Sequence, residues 1–157
     1  MKGSRRGPRG DEGFSLIELL TVAVLIAILA AIALPMLRQA IYNAQAANIL
    51  GDVRAVQIAF SQYVADGGVR VRNSGWGRVP ADLAPYLPDG FNFATDVADY
   101  RWRRLRARAS PWGVESGELR VRPKRDLRPV LVDKLAAMAN QAMIVKKRNQ
   151  VRFYMVP

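Results

Sequence analysis

The 157-residue chain contains no cysteine and no histidine. Without cysteine it can form neither a disulfide nor a thiolate metal site. Without histidine it lacks the usual general base near neutral pH. The missing cysteine does not assign a compartment, because exported proteins can also lack it. Acidic residues are scarce too: 13 Asp and Glu stand against 24 Lys and Arg, a formal net charge of +11. That balance favours anionic partners such as nucleic acid, lipid headgroups or an acidic neighbouring protein. The sequence shows no nucleophile elbow, phosphate loop or metal-ligand cluster, and Gly75-Trp76-Gly77 and Asp66-Gly67-Gly68 read as turns. Neither catalysis nor a cofactor is expected, and no residue is assigned as catalytic or metal-binding.

What is abundant is apolar side chain, half of all residues, and it is unevenly placed. Residues 1–13 are polar and broken by Gly and Pro. Their Lys2, Arg5, Arg6 and Arg9 against Asp11 and Glu12 carry +2, so the remaining +9 belongs to residues 14–157. From Phe14 to Leu34 the chain is apolar apart from Glu18. At about 1.5 Å per residue such a helix spans roughly the 30 Å of a bilayer core. After Pro35 the pattern becomes periodic: Tyr42, Ala46, Ile49, Val53, Val56, Phe60 and Tyr63 recur at steps of four and three. This is the stripe of an amphipathic helix with one buried face. Gly67-Gly68 supplies its stop, so one helix is expected from about Phe14 to Ala65.

Residues 67–99 read as loop, with one helical turn within Pro80–Leu87. Trp76, Tyr86, Leu87, Phe91 and Phe93 are expected to anchor onto the helix stripe. Strands are expected at Tyr100–Leu105, Glu118–Arg122 and Val151–Val156, where aromatic or β-branched residues mix with Arg. A short helix is expected over Asp133–Met143, with Asp133 near its N-terminus. The fold class is therefore α+β: a long N-terminal helix, transmembrane in its first half and amphipathic in its second, packed on a small antiparallel sheet. The expected boundaries are a leader at 1–13, a transmembrane helix at 14–35, its amphipathic continuation at 36–66 and a globular domain at 67–157.

The junction Gly13-Phe14-Ser15-Leu16-Ile17-Glu18-Leu19-Leu20 resembles the class III signal of type IV prepilins and of type II secretion pseudopilins. The resemblance is specific over 13–35 and extends plausibly to about Gly67. It implies cleavage after Gly13 by a prepilin peptidase and N-methylation of Phe14 by the same enzyme. It places Glu18 at the family's fifth mature position and Pro35 where many pilins carry a helix-loosening proline, and it gives both residues a role in assembly. Polymerisation with other pilin-like subunits by an inner-membrane platform and an ATPase is implied as well. Two family features are missing: the cysteine-closed C-terminal loop and a calcium loop. A carboxylate in an apolar span costs on the order of 2.5–3.5 kcal/mol and is expected to find a partner; after cleavage the new amine of Phe14 would lie one turn away. The basic leader orients the N-terminus to the cytoplasm and the remainder outward from a bacterial inner membrane. Ala31-Ile32-Ala33 mimics a secretory cleavage site, but the span is long for a signal and contains Glu18.

Arg101, Trp102, Arg103, Arg104, Arg106 and Arg108 form a dense run near Trp112, and Lys146, Lys147 and Arg148 form a second. Interleaved aromatic and basic residues can hold single-stranded nucleic acid, which would suit a DNA-binding minor pilin. The plainer reading is a solvated basic face or one complementary to acidic neighbours. A periplasmic protein with an ordinary signal anchor is the remaining alternative.

Overall fold

The computed structural model describes residues 13–106, 116–124, 127–139, 144–147 and 149–156, with Arg128 and residues 144–147 described by backbone alone. The leader before Gly13, Arg108, Trp112, the end of the expected Asp133–Met143 helix, the Lys146 and Lys147 side chains and Arg148 lie outside that description.

The chain divides into two units, one ending at Gln39 and one beginning at Ala40. Helix α1, Leu16–Ala65, begins in the first and ends in the second. In the first unit every described residue is exposed, and Pro35 lies within the helix, leaving the Ala31 carbonyl without its usual donor.

In the second unit the helix stripe does what its periodicity predicts. Ala46, Ile49, Val53, Val56 and Phe60 are buried, with Tyr42 and Tyr63 packed on the same core. Gly67 ends the helix at φ +84°, a left-handed conformation that glycine adopts without a Cβ clash. The stripe meets a four-stranded antiparallel sheet of β1 (Ala98–Leu105), β2 (Ser116–Pro123), β3 (Ile144–Lys147) and β4 (Gln150–Met155), in the order β1-β2-β4-β3. A second helix, α2 (Arg128–Met138), adds Leu131, Val132 and Leu135 to the core. The α+β architecture expected from sequence is the one observed.

Strand alternation sorts the sheet into two chemically distinct faces. Ala98, Tyr100, Trp102, Leu119, Val121, Val151, Phe153 and Met155 share the core face and are all buried. Trp102 packs on Phe60 with ring centroids 5.1 Å apart. Tyr100 donates its hydroxyl to the Asp52 carboxylate on α1. On the opposite face Arg101, Arg120 and Arg152 stand in register across three strands. Like charges so close repel, and Glu118, only 1% exposed, lies between two of them: Arg120 at 2.9 Å and Arg152 at 3.3 Å.

β1 is an edge strand, and residues 73–77 run along its open side. The Ser74 amide donates to the Trp102 carbonyl, the Trp102 amide to Ser74 Oγ, the Arg104 amide to Asn73 Oδ1 and the Gly77 amide to the Tyr100 carbonyl. The edge is thereby closed to strand addition.

Several expected details shift. β3 is a strand that the sequence pattern does not predict. α2 begins at Arg128 rather than near Asp133, with a proline in its first turn, a favoured position because proline lacks the amide that a first turn leaves unpaired. A 3-10 turn occupies Ala84–Tyr86, inside the expected stretch. Trp76 does not anchor on the helix stripe; its ring lies under the guanidinium of Arg122 at 4.3 Å and near that of Arg101 at 6.0 Å.

Candidate functional site: the start of the apolar helix

The site begins where Gly13 and Phe14, both outside the helix and exposed, give way to helix at Leu16. Ser15 and Glu18 close that helix end reciprocally. The Glu18 amide donates to Ser15 Oγ at 3.3 Å, and the Ser15 amide donates to Glu18 Oε2 at 2.8 Å. This is a capping box, in which serine and a glutamate three residues on satisfy each other's free amides. Beyond it the Thr21 hydroxyl donates to the Ile17 carbonyl at 2.8 Å, hiding the remaining polar side chain of the first turns against the backbone.

Glu18 thus has a partner in the uncut chain that sequence reasoning did not supply: the amide of Ser15. The signal, serine followed at the third position by glutamate, was legible. A helix cap within the chain and an ion pair with a new terminal amine are compatible uses of one carboxylate, since it has two oxygens and several acceptor sites.

From Leu16 onward the helix presents Ile17, Leu20, Leu25, Ile28, Leu29 and Ile32 to the outside, and the stretch is long and apolar enough to cross a membrane. None of its most apolar window is buried. A core helix of a water-soluble domain would have these side chains covered, so the exposed run calls for lipid or another helix.

The prokaryotic N-terminal methylation motif family matches residues 8–34. The chain carries a type IV prepilin-type motif. The match covers the cleavage junction and the apolar run together. Combined with the exposed helix it supports a membrane-anchored, pilin-like structural chain that is a prepilin peptidase substrate. No curated protein and no solved structure matches the chain.

The arginine run is not one patch. Alternation along β1 sends Arg101 and Arg103 to the outer sheet face, and Trp102 and Arg104 to the other. Trp102 is only 1% exposed and serves as a core residue, so it is not available to stack a base. Arg101 donates to the Ser74 carbonyl at 3.3 Å and reaches Trp76. Arg103, Arg104 and Arg106 do come together, at the end of β1 beside Arg70 and Arg72.

Two carboxylates in the second unit have displaced titrations. The Arg72 amide and guanidinium hold the Asp82 carboxyl below the ordinary range, with contacts of 2.8 and 3.1 Å. Burial pushes Asp99 upward, but Lys124 at 2.7 Å and Arg122 at 3.1 Å outweigh it and leave it depressed. Burial and the bond to Asp52 push the Tyr100 phenol well above its usual value. These groups brace the fold and stand apart from the processing junction.

Proposed function

We propose that the chain is a structural subunit of a type IV pilus-like or type II secretion pseudopilus filament. The observation that carries this reading is the conjunction of the methylation motif with an apolar helical stretch whose residues are all exposed. The leader 1–13 is removed after Gly13, and Phe14 becomes the methylated N-terminus. Until assembly, residues 14–35 hold the subunit in the bacterial inner membrane with the leader in the cytoplasm. In the filament the same apolar surface packs against neighbouring helices, and the domain after it faces outward. A membrane platform and an ATPase move the subunit between the two environments.

Within this reading Glu18 changes partner on assembly. Cleavage creates a positive amine at Phe14, and a carboxylate in an apolar core is matched by such a charge within one subunit or between two. Pro35, with one backbone carbonyl already lacking a donor, is where the helix opens most cheaply as the subunit leaves the bilayer.

Mass spectrometry of the mature protein tests the first step. The expected N-terminus is N-methylated Phe14; an intact Met1 or a start at Leu34 overturns the reading. Glu18→Ala is expected to insert normally but to assemble poorly in a filament-shearing assay. Normal filament yield from that variant would remove the charge-matching role. The alternative, a DNA-binding minor subunit, has lost its aromatic partner with the burial of Trp102.

A further inference from the structure

Two cavities adjoin at the end of β1. The first, about 540 Å³, is lined by Arg70, Arg72, Arg103, Arg104 and Arg106. The second, about 590 Å³, shares Arg70, Val71 and Arg104 with it and is walled by Phe60, Val64, Val69 and Trp102. One is basic and the other is largely apolar.

The charges in the first cavity are not answered from within. Arg72 meets Asp82, as Arg120 and Arg152 meet Glu118 and Arg122 meets Asp99. Arg103, Arg104 and Arg106 have no carboxylate within ion-pair range among the described residues. Collecting three guanidinium groups at one mouth costs repulsion that a purely structural role does not return. A phosphate group, with more than one charge and several acceptor oxygens, suits planar guanidinium forks.

The second cavity has its own unmet features. Val69 is 78% exposed at its rim, the most exposed large apolar side chain of the second unit. The indole N–H of Trp102, a residue only 1% exposed, finds no acceptor among the described residues. Buried polar groups without partners are rare and costly. Neither Phe60 nor Trp102 offers an open ring face for a base, and the valine wall gains nothing from a bare phosphodiester chain.

We propose that the paired cavities form one binding site for a phosphate-headed lipid, its phosphate among Arg103, Arg104 and Arg106 and its hydrocarbon along Val64, Val69 and Phe60. The inference is independent of the filament reading, because it rests on the second unit alone.

The test uses the full chain in phosphatidylcholine nanodiscs with ¹⁵N-labelled tryptophan. The three indole signals are assigned with Trp76→Phe and Trp112→Phe. Hexyl phosphate is the probe, and inorganic phosphate and a twelve-residue oligonucleotide are the comparison ligands. Hexyl phosphate is expected to shift the Trp102 signal saturably and to bind about tenfold or more tightly than inorganic phosphate. The double variant Arg103→Gln, Arg106→Gln should weaken it about tenfold or more, and Val69→Ser should weaken it by a smaller factor. Equal affinity for inorganic phosphate, tighter binding of the oligonucleotide, or unchanged binding in the arginine variant would each overturn the proposal. So would the absence of any shift at Trp102.

Discussion

Gly117→Ala probes how tightly the sheet is fitted to α1. A Cβ built at Gly117 would lie 2.1 Å from Cη2 and 2.2 Å from Cζ2 of Trp102. Carbon atoms rest at about 3.5–4.0 Å, so the ring must retreat by about 1.5 Å. It has little room to do so: Phe60 packs against it at 5.1 Å, and the Trp102 backbone is tied to Ser74 on its open edge. Overpacking of this kind costs about 1–3 kcal/mol. For a unit of this size each kcal/mol moves Tm by about 3–5 °C, so a fall of about 3–15 °C is expected. Thermal unfolding of the full chain in detergent, followed by near-ultraviolet circular dichroism, measures it. The cause is isolated by repeating the substitution in a Trp102→Phe background, where the clashing atoms are gone and most of the penalty should vanish. An unchanged Tm for Gly117→Ala, or an equal penalty in both backgrounds, would refute the packing argument.

Tyr100→Phe removes the hydroxyl that joins the sheet to Asp52 on α1, and should cost about 1.5–3 kcal/mol in urea unfolding; a change below about 0.5 kcal/mol would mean that water replaces the bond freely. Stability should also fall with acid. Asp82 and Asp99 have folded-state pKa values depressed below their unfolded ones, so their contribution is present above the ordinary carboxylate range and is lost as pH drops through the folded values. Asp82→Asn should flatten the decline of Tm between neutral pH and about pH 3, and an unaltered slope would show that its pairing with Arg72 does not favour the folded state.

Much of this architecture was legible because it rests on local pattern. The steps of three and four from Tyr42 to Tyr63 fixed which helix face is buried, and the mixed Arg and aromatic strands β1, β2 and β4 appeared where alternation placed them. What was missed depends on partners. The four residues of β3 are a strand because β4 pairs with them, and read alone Ile144-Val145-Lys146-Lys147 looks like the edge of a basic cluster. Trp102 looked like a stacking platform in a run of arginines, since neighbours in sequence point to opposite faces of a strand. At the processing junction, motif and membrane span were visible, whereas the capping of Glu18 by Ser15 was legible but unread.

The position of β4 has a consequence for how the second unit is made. This strand comes after every other strand in the chain, yet it lies inside the sheet between β2 and β3. Until Gln150–Met155 arrives, β3 has no neighbour to hold it and β2 exposes one side of its backbone. Completion of the sheet is therefore a late event, in synthesis and in passage across a membrane alike. A chain cut short before Gln150 would lose an interior strand and present two raw edges, which is a description of an aggregation-prone fragment.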